Sequence, residues 1–512
     1  MLSVINSMGV FGIEAYRVSV ETNISAGMPS FDIVGLPDAS VRESRERVRS
    51  AIRNNGLKFP LAHIIINLAP ADVKKEGSVY DLPLLIGVLI SSGEIECDVQ
   101  DAVFVGELSL KGEIRAVKGL LSMAIKAKEC GLKRMFVPAS QASQAAVVEG
   151  LDVYPVENVS QLLEHLTNIK LIEKAKVKPF SDVLQSDMEN YMLDFADVAG
   201  QPLAKRAVEI ACAGGHNVLL IGPPGSGKSM IAKRIPTILP TMTFNEAIKT
   251  SEIHSIAGSL PDATSLITVR PFRSPHHTVS APALSGGGSN PMPGEVSLAH
   301  NGVLFLDELP EFPRKSMEVL RQPLEDGKIT ISRVAGTLTY PCNIMFVAAM
   351  NPCPCGYFGH PTKPCTCSEV AVRKYLGKIS GPLLDRIDIQ IEVPPVNYEE
   401  LTSKIKAEKS EEIRKRVEKA RNIQRERFKD EGITCNAEMS APMLKKYCAL
   451  DEQADKYLKD GFEKLSLSAR AYDRILKVAR TVADLQESEN IKKQHIAEAF
   501  RLRSLDKKYW NS

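Results

Sequence analysis

The segment Gly222–Ser229 constrains the fold more than any other part of the chain. Its residues are Gly222, Pro223, Pro224, Gly225, Ser226, Gly227, Lys228 and Ser229, which fit the pattern G-x-x-x-x-G-K-[ST]. The apolar residues 218–221 before it predict a buried strand, and residues 230–239 predict a helix. In such a loop the amides surround phosphate oxygens, the lysine neutralises the β- and γ-phosphates, and the hydroxyl binds Mg²⁺. The sequence therefore predicts a P-loop that binds a nucleoside triphosphate.

The composition indicates an ordinary globular chain of two to four domains. It has 512 residues, of which 44% are hydrophobic, and a net charge of +2. That charge argues against a strongly basic nucleic-acid coat, although it allows a local basic channel. The sequence has no uninterrupted apolar run long enough for a membrane span and no signal-peptide pattern at its start. We therefore expect a cytoplasmic protein without a membrane partner, whose ten cysteines are reduced.

The N-terminal 170 residues alternate between strand and helix patterns, which predicts an α/β domain. Strands are expected around Tyr16–Val20 and Phe31–Val34 and at 63–68 and 134–137; helices are expected at 39–54, 82–91 and 120–130. Residues 171–190 turn polar and lysine-rich, which is typical of a linker.

A second acidic motif follows the P-loop. The apolar run 303–306 predicts a buried strand, and Asp307 and Glu308 come directly after it. A carboxylate in the first position can hold the Mg²⁺ shell, and one in the second can polarise an attacking water. An apolar run that ends in two acids is common by itself. Downstream of a P-loop it indicates the catalytic acids of an ATPase.

Four cysteines form two C-x-C pairs: Cys353 and Cys355, then Cys365 and Cys367. Four thiolates can fill one tetrahedral Zn²⁺ shell. The spacing differs from the commoner C-x₂-C, so free or redox-active thiols remain an alternative, and Cys342 and His360 are possible substitute ligands.

Several segments resemble the magnesium-chelatase-like AAA+ ATPases, within them the ComM/YifB family. They are 270–278 (RPFRSPHHT), 283–288 (ALSGGG), 293–300 (PGEVSLAH) and the acidic strand end. The resemblance implies a hexameric ATPase that uses ATP and Mg²⁺ and moves DNA, as a branch-migration helicase does in recombination and natural transformation. It also implies roles for three residues: Asn351 as the polar sensor of the γ-phosphate, Arg386 as an arginine finger, and Arg470 as the second sensor, with Arg474 as the alternative.

The N-terminal domain resembles the proteolytic domain of Lon protease, a ribosomal S5 domain 2-like fold, in 75–81 and 106–121. That family uses a serine nucleophile and a lysine base, which here fall on Val79 and Leu121. Ser78 and Lys118 are nearby but displaced in register. We therefore expect no protease activity.

DNA contacts are expected on two pore-lining segments that the family resemblance implies, 266–295 and 326–340. The second has alternating β-formers around a turn, which predicts a hairpin. Lys328 and Arg333 on it, and Arg270 and Arg273 on the first, are candidate contacts to DNA phosphates. The plainer alternative for the hairpin is solvated charge, and His276 and His277 fit DNA contacts or structural hydrogen bonds equally.

Four consecutive segments are thus expected: a Lon-like domain at 1–170, a linker at 171–190, an AAA+ core at 191–395, and a helical lid at 396–512 that begins with one long helix at 397–429. The function expected is that of a homo-hexameric DNA motor without sequence preference. Two alternative functions act on other substrates: a remodeller or scaffold for protein partners, and a motor for metal insertion into a porphyrin.

Overall fold

The computed structural model describes residues 2–189, 192–288, 291–333, 336–402, 407–465, 467–503, 505 and 509–510, without the side chains of 189, 333, 336, 401, 402 and 465. The chain forms two compact units, one of residues 1–183 and 244–267 and the other of residues 184–243 and 268–512. It therefore passes between the units three times. Within the described residues, every helix is too short or too polar to span a bilayer.

The strands are β1 (Leu2–Phe11), β2 (Glu14–Ser25), β3 (Ser30–Val34), β4 (His63–Ala69), β5 (Ala102–Phe104), β6 (Glu107–Leu108), β7 (Ile114–Arg115), β8 (Arg134–Pro138), β9 (Asp152–Val156), β10 (Val218–Ile221), β11 (Phe272–Arg273), β12 (Gly286–Gly287), β13 (Met292–Pro293), β14 (Val303–Leu306), β15 (Lys328–Arg333), β16 (Gly336–Pro341), β17 (Met345–Met350) and β18 (Ile389–Glu392).

The α-helices are α1 (Ala39–Asn54), α2 (Asp81–Ser92), α3 (Leu120–Glu129), α4 (Ala142–Ala146), α5 (Val159–Leu166), α6 (Phe180–Glu189), α7 (Pro202–Gly214), α8 (Lys228–Ile238), α9 (Phe244–Ala257), α10 (Ala281–Ser285), α11 (Glu295–Leu298), α12 (Arg314–Glu318), α13 (Arg321–Asp326), α14 (Glu369–Leu376), α15 (Gly381–Leu384), α16 (Tyr398–Thr402), α17 (Ser410–Arg427), α18 (Ala441–Tyr447), α19 (Glu452–Leu465), α20 (Ala469–Leu485) and α21 (Lys493–Arg501).

The first unit is built on a mixed seven-stranded sheet in the order β3-β4-β2-β1-β5-β8-β9. The pairs β1–β2 and β2–β4 are antiparallel, and the remaining pairs are parallel. The helix predicted at 39–54 is confirmed as α1. Its apolar positions face the core, and Asp38 caps its start by accepting a hydrogen bond from the amide of Val41 at 2.8 Å. The α/β alternation expected from the sequence is therefore present.

The second unit carries a five-stranded sheet in the order β11-β14-β17-β10-β18, with every pair parallel. The P-loop strand β10 and the acidic strand β14 are separated by β17. Because the strands are parallel, the segments that follow β10, β14 and β17 all lie at the carboxyl edge of the sheet. That edge is where the sequence places the P-loop, the two acids and Asn351.

Two boundaries differ from the consecutive segments expected from the sequence. Half of the predicted linker is helical, since α6 covers Phe180–Glu189. Helix α9, which follows the P-loop helix in the chain, belongs to the first unit. It contacts α3 there: the amide of Gly119 donates to the carbonyl of Ser255 at 3.1 Å, and the Oγ of Ser122 donates to Glu252 at 3.5 Å.

Helices α17 and α20, which follow β18, share one hydrophobic core with α7 and the five-stranded sheet. The single long helix predicted at 397–429 is wrong, because α16 ends at Thr402 and α17 begins at Ser410. The new start is fixed by tertiary contacts. The amide of Ser410 donates to Asp194 at 3.0 Å, and its hydroxyl accepts from the amide of Phe195 at 2.8 Å.

A buried ion-pair network joins the C-terminal helices to the sheet. Asp388, which directly precedes β18, pairs with Arg474 of α20 and contacts the Nδ1 of His216 at 3.2 Å. The other ring nitrogen of His216 lies 2.8 Å from the hydroxyl of Thr481, also on α20. Burial alone would raise the pKa of Asp388, but the charge of Arg474 and the contact with His216 outweigh it and hold that pKa below its usual range.

Replacing this carboxylate should destabilise the second unit. In Asp388→Asn the guanidinium of Arg474 loses its ionic partner, and removing one member of a buried pair costs about 3–5 kcal/mol. The free energy of unfolding from urea titration measures the loss. Asp385→Asn is the matched control, because Asp385 pairs with Arg470 at a much more exposed site and should change that free energy by at most about 1 kcal/mol. Equal effects of the two substitutions would contradict the role given to Asp388.

Candidate nucleotide site

The loop between β10 and α8 has the backbone that its glycines predict. Gly225 and Gly227 have φ angles of +76° and +90°, in the left-handed region that a side chain disfavours. A Cβ on Gly222 would lie 2.2 Å from the carbonyl oxygen of Val393, so only glycine fits where the loop leaves the sheet. The loop thus leads directly into the N-terminus of α8, the kind of helix end that binds anions.

Lys228 lies at the centre of this edge. Its Nζ donates to the carbonyls of Gly222 and Pro223 at 2.7 and 2.9 Å and to the Oδ1 of Asn351 at 3.3 Å. Burial lowers the pKa of Lys228 to about 8, against the opposing charges of Asp307 and Glu308. The predicted phosphate lysine and the predicted sensor asparagine are thus in direct contact.

Ser229 and the two acids complete the same edge. The hydroxyl of Ser229 donates to Asp307 at 2.5 Å, so the two groups expected to hold Mg²⁺ are adjacent. Glu308 has φ +53°, a left-handed conformation that is strained for a residue with a side chain and that often marks functional sites. Its carboxylate lies 3.6 Å from the Nδ1 of His277. Sequence patterns alone left the role of His277 open, and this contact places it at the candidate water-activating group.

The predicted arginines lie at the opposite edge of the sheet. The carbonyl of Arg386 accepts from the side chain of Asn217, the residue before β10, at 2.9 Å. Arg470 lies 3.2 Å from Asp385, and Arg474 pairs with Asp388. The four residues of β10 separate this amino edge from the P-loop by about 13 Å. Arg386 itself pairs with Glu325 and donates to the carbonyl of Pro382 at 2.7 Å.

Two of the arginines predicted to contact DNA are bonded to other residues of the second unit. Arg270 donates to the carbonyls of Pro240 and Asn301 at 2.6 and 2.7 Å, and Arg273 makes a bidentate pair with Glu295 at 2.7 Å. These bonds engage both guanidinium groups within the unit, and their contact with DNA stays a prediction.

The predicted hairpin is confirmed as β15 and β16, which pair antiparallel from Lys328 to Pro341. Lys328 is exposed on its flank. The side chain of Arg333 and the tip residues 334–335 lie outside the described residues.

The four cysteines of the two C-x-C pairs come together, with their Sγ atoms all within 4.8 Å of one another. Cys353 is buried, whereas Cys355, Cys365 and Cys367 are partly exposed. Amide hydrogen bonds from Tyr357 and Thr366 lower the pKa of Cys355 to about 5. Cys342 and His360 do not join the cluster found among the described residues.

The positions of a Lon-type dyad hold apolar side chains in the first unit. Val79 is 7% exposed and Leu121 is fully buried. The neighbouring Ser78 donates its hydroxyl to Glu107. An aliphatic side chain can neither attack a carbonyl nor accept a proton.

A parallel sheet with a P-loop at one edge, where a serine and an aspartate contact each other and an asparagine contacts the P-loop lysine, defines the class of P-loop nucleotide-binding proteins. Family models agree with that class: magnesium chelatase, subunit ChlI, matches residues 194–401; subunit ChlI of Mg-chelatase matches 20–141; and the ChlI C-terminal model matches 407–503.

Full-length relatives narrow the class. The chain is 40% identical to the uncharacterized protein YifB of Escherichia coli over 99% of this chain and 98% of that protein. It is also 40% identical to competence protein ComM of Haemophilus influenzae over 98% of both chains. A magnesium-chelatase 67 kDa subunit of Chlorobaculum parvum is 26% identical over 40% of this chain and 27% of its own. The chain therefore belongs to the ComM/YifB family of magnesium-chelatase-like proteins, a membership that implies ATP and Mg²⁺ as ligands.

The pKa of Lys228 makes nucleotide binding depend on pH. Only the protonated amine attracts phosphate, and a bound phosphate raises its pKa. Above the free-state value of about 8, binding must therefore take up a proton, and affinity should fall by up to about tenfold per pH unit. Fluorescence anisotropy of a labelled nucleotide between pH 7 and pH 9.5 measures this fall. Lys228→Gln should bind weakly at every pH, and a flat wild-type profile would exclude the shifted lysine.

Proposed function

We propose that the protein is an ATP-driven, ring-forming motor that moves DNA, acting as a branch-migration helicase during recombination or natural transformation. The observation that carries this proposal is that two groups of candidate residues, here called half-sites, lie at opposite ends of β10. Lys228, Ser229 and Asp307 lie at the carboxyl edge of the sheet, while the backbone of Arg386 contacts Asn217 at the amino edge. Since an arginine at the amino edge does not reach the P-loop of its own chain, Arg386 would act on the nucleotide of a neighbouring subunit, for which its guanidinium must leave Glu325.

In a ring of identical subunits, every interface is heterologous and brings the carboxyl edge of one subunit to the amino edge of the next. Each interface would therefore complete one nucleotide site from two half-sites. Under this proposal, Arg386 and either Arg470 or Arg474 act on the nucleotide of the next subunit. Arg474 is held by Asp388, whereas Arg470 is 73% exposed beside Asp385. The greater freedom favours Arg470 as the arginine that reaches phosphate. The family resemblance to hexameric motors supports six subunits.

The residues at the carboxyl edge divide the work of hydrolysis. The P-loop amides and Lys228 bind and orient the phosphates, and Ser229 and Asp307 would hold Mg²⁺, which supplies charge neutralisation of the phosphate oxygens when bound. Glu308 accepts the proton of the attacking water, and Asn351, which contacts Lys228 at 3.3 Å, orients that water toward the γ-phosphate position.

Two further lines support DNA as the substrate. A relative that matches this chain from end to end is named a competence protein. The hairpin of β15 and β16 carries Lys328, which is exposed, and its sequence includes Arg333; both residue types suit contacts to a phosphate backbone. The first unit has buried Val79 and Leu121 where a protease would need its serine and lysine, so we propose no proteolytic step.

The cysteine cluster completes the proposed cofactors. Its donor set of four thiolates within 4.8 Å fits one Zn²⁺.

Two other functions use the same site. A metal-insertion motor is disfavoured because the match to a magnesium-chelatase subunit covers 40% of this chain, against 98% for ComM. A remodeller of protein partners would hydrolyse ATP without a response to DNA. Stimulation of ATP hydrolysis by branched or single-stranded DNA therefore separates the motor from the remodeller.

Glu308→Gln should bind ATP with unchanged affinity and lose turnover by about 10²–10⁴-fold, because the glutamine amide does not accept a proton from water. Lys228→Ala should instead lose affinity. Phosphate release and nucleotide anisotropy, measured on the same preparations, separate the two effects. The matched control is Glu311→Gln, one turn further along and paired with Lys378 at the surface, which should leave both values unchanged. Wild-type turnover in Glu308→Gln would remove the assigned base.

The double variant Lys328→Ala, Arg333→Ala tests the hairpin. It should weaken binding to DNAs of unrelated sequence alike and lower the slope of log affinity against log salt by about one unit per lost phosphate contact. Basal ATP hydrolysis should persist while its stimulation by DNA is lost. Lys111→Ala is the control, since Lys111 lies in the turn between the paired strands β6 and β7 of the first unit. If both variants bind DNA like the wild type, the hairpin is not the DNA-binding element.

A further inference from the structure

The segment between β17 and α14 lies beside the P-loop and has no regular structure of its own. Residues 351–368 contain neither helix nor strand. The segment begins with the sensor Asn351 and carries all four clustered cysteines. A segment of this length has a large conformational entropy in the unfolded chain, so something must hold it in one shape.

The cluster has the dimensions of a tetrahedral zinc site. With Zn–S bonds of about 2.3 Å, tetrahedral geometry places pairs of sulfur atoms about 3.8 Å apart. The Sγ atoms of Cys353 and Cys355 are 3.4 Å apart, and Cys365 lies 3.7 and 3.6 Å from them. Backbone amides point at the sulfurs, as from Phe358 to Cys353 at 3.3 Å and from Cys367 to Cys365 at 3.4 Å. Such donors stabilise thiolate ligands around a metal.

The same segment rests against the P-loop. Gly356 has φ +84°, and a Cβ built on it would lie 2.5 Å from the Cδ of Pro224 and 3.9 Å from the side chain of Asn351. Its backbone is therefore packed on the proline ring at the tip of the P-loop. A turn fixes this position, because the amide of Gly356 donates to the carbonyl of Cys353 at 3.0 Å.

We infer that one Zn²⁺ bound by Cys353, Cys355, Cys365 and Cys367 holds the Gly356 turn against Pro224, so that occupancy of this metal site controls the affinity of the nucleotide site. The metal closes the segment on itself from Cys353 to Cys367 and thereby fixes two neighbours of the phosphates, the P-loop tip and Asn351. This control rests on the proposed nucleotide site, whereas the metal site itself does not.

The direct test measures zinc and nucleotide binding on the same preparations, purified under reducing conditions. Elemental analysis should find about one zinc per chain, since four thiolates fill one shell. Cys355→Ser with Cys367→Ser should lose the zinc and weaken nucleotide binding by about tenfold or more. Cys97 is a partly exposed cysteine of the first unit, and Cys97→Ser should change neither the zinc content nor the nucleotide affinity. Circular dichroism checks that the double variant is folded.

A second variant separates the metal from the contact that it supports. Gly356→Ala keeps all four thiolates but drives a Cβ into Pro224, so it should retain zinc and lose nucleotide affinity. Gly131→Ala is the matched control, because Gly131 has φ +76° and nothing within 4 Å of its Cβ position. If the cysteine variant unfolds, removal of zinc from the wild type with a zinc-selective chelator, followed by addition of Zn²⁺, replaces it. Nucleotide affinity should fall and then recover.

The outcomes are distinct. Zinc near zero in the wild type overturns the metal site and leaves free or redox-active thiols. Zinc near one per chain with unchanged nucleotide affinity in the cysteine variant and in Gly356→Ala overturns the control of the P-loop. Wild-type protein that holds zinc and binds no nucleotide overturns the proposed function while the metal site stands. Lys228→Ala should keep its zinc and lose nucleotide binding, so it shows what protein with an intact metal site and no nucleotide binding looks like in both measurements.

Discussion

The buried carboxylate of Asp388 connects the five-stranded sheet of the second unit to the C-terminal helix α20. It precedes β18, pairs with Arg474 of α20 and contacts His216, whose other nitrogen reaches Thr481. A charge in this position is stable only with its partners, which makes the network sensitive to the relative placement of strand and helix. The C-terminal helices are therefore anchored at the amino edge of the sheet, and Arg470 is carried there with them.

The consequence for the site is a division of labour along one short strand. The carboxyl edge after β10 holds the predicted phosphate-binding groups, and the amino edge before it holds the predicted arginines. Local bonds hold side chains at both edges, such as Ser229 to Asp307 and Arg386 to Glu325. Under the proposed function, neither edge by itself contains the full set of residues for phosphoryl transfer, so each site would take residues from two chains.

Sequence reasoning succeeded where the signal is local. The P-loop, the acidic strand end, the hairpin and most helices follow from glycine positions, apolar runs and periodicity within a few residues. It failed where distant residues decide. Helix α17 begins at Ser410 because Asp194 and Phe195 bond to it, and His277 meets Glu308 only through the fold. The edge on which each arginine lies depends on the direction of β18 and on where α20 packs, which periodicity does not contain.

The interleaving of the two units affects how the protein can be divided. Helix α9 leaves the P-loop unit, buries Ile253 and Ile256 in the first unit, and the chain then returns at 268. A fragment beginning near residue 190 would thus retain this helix and lose its packing partner α3, exposing an apolar face to solvent. The two units are consequently not modules that recombination could exchange by a single cut.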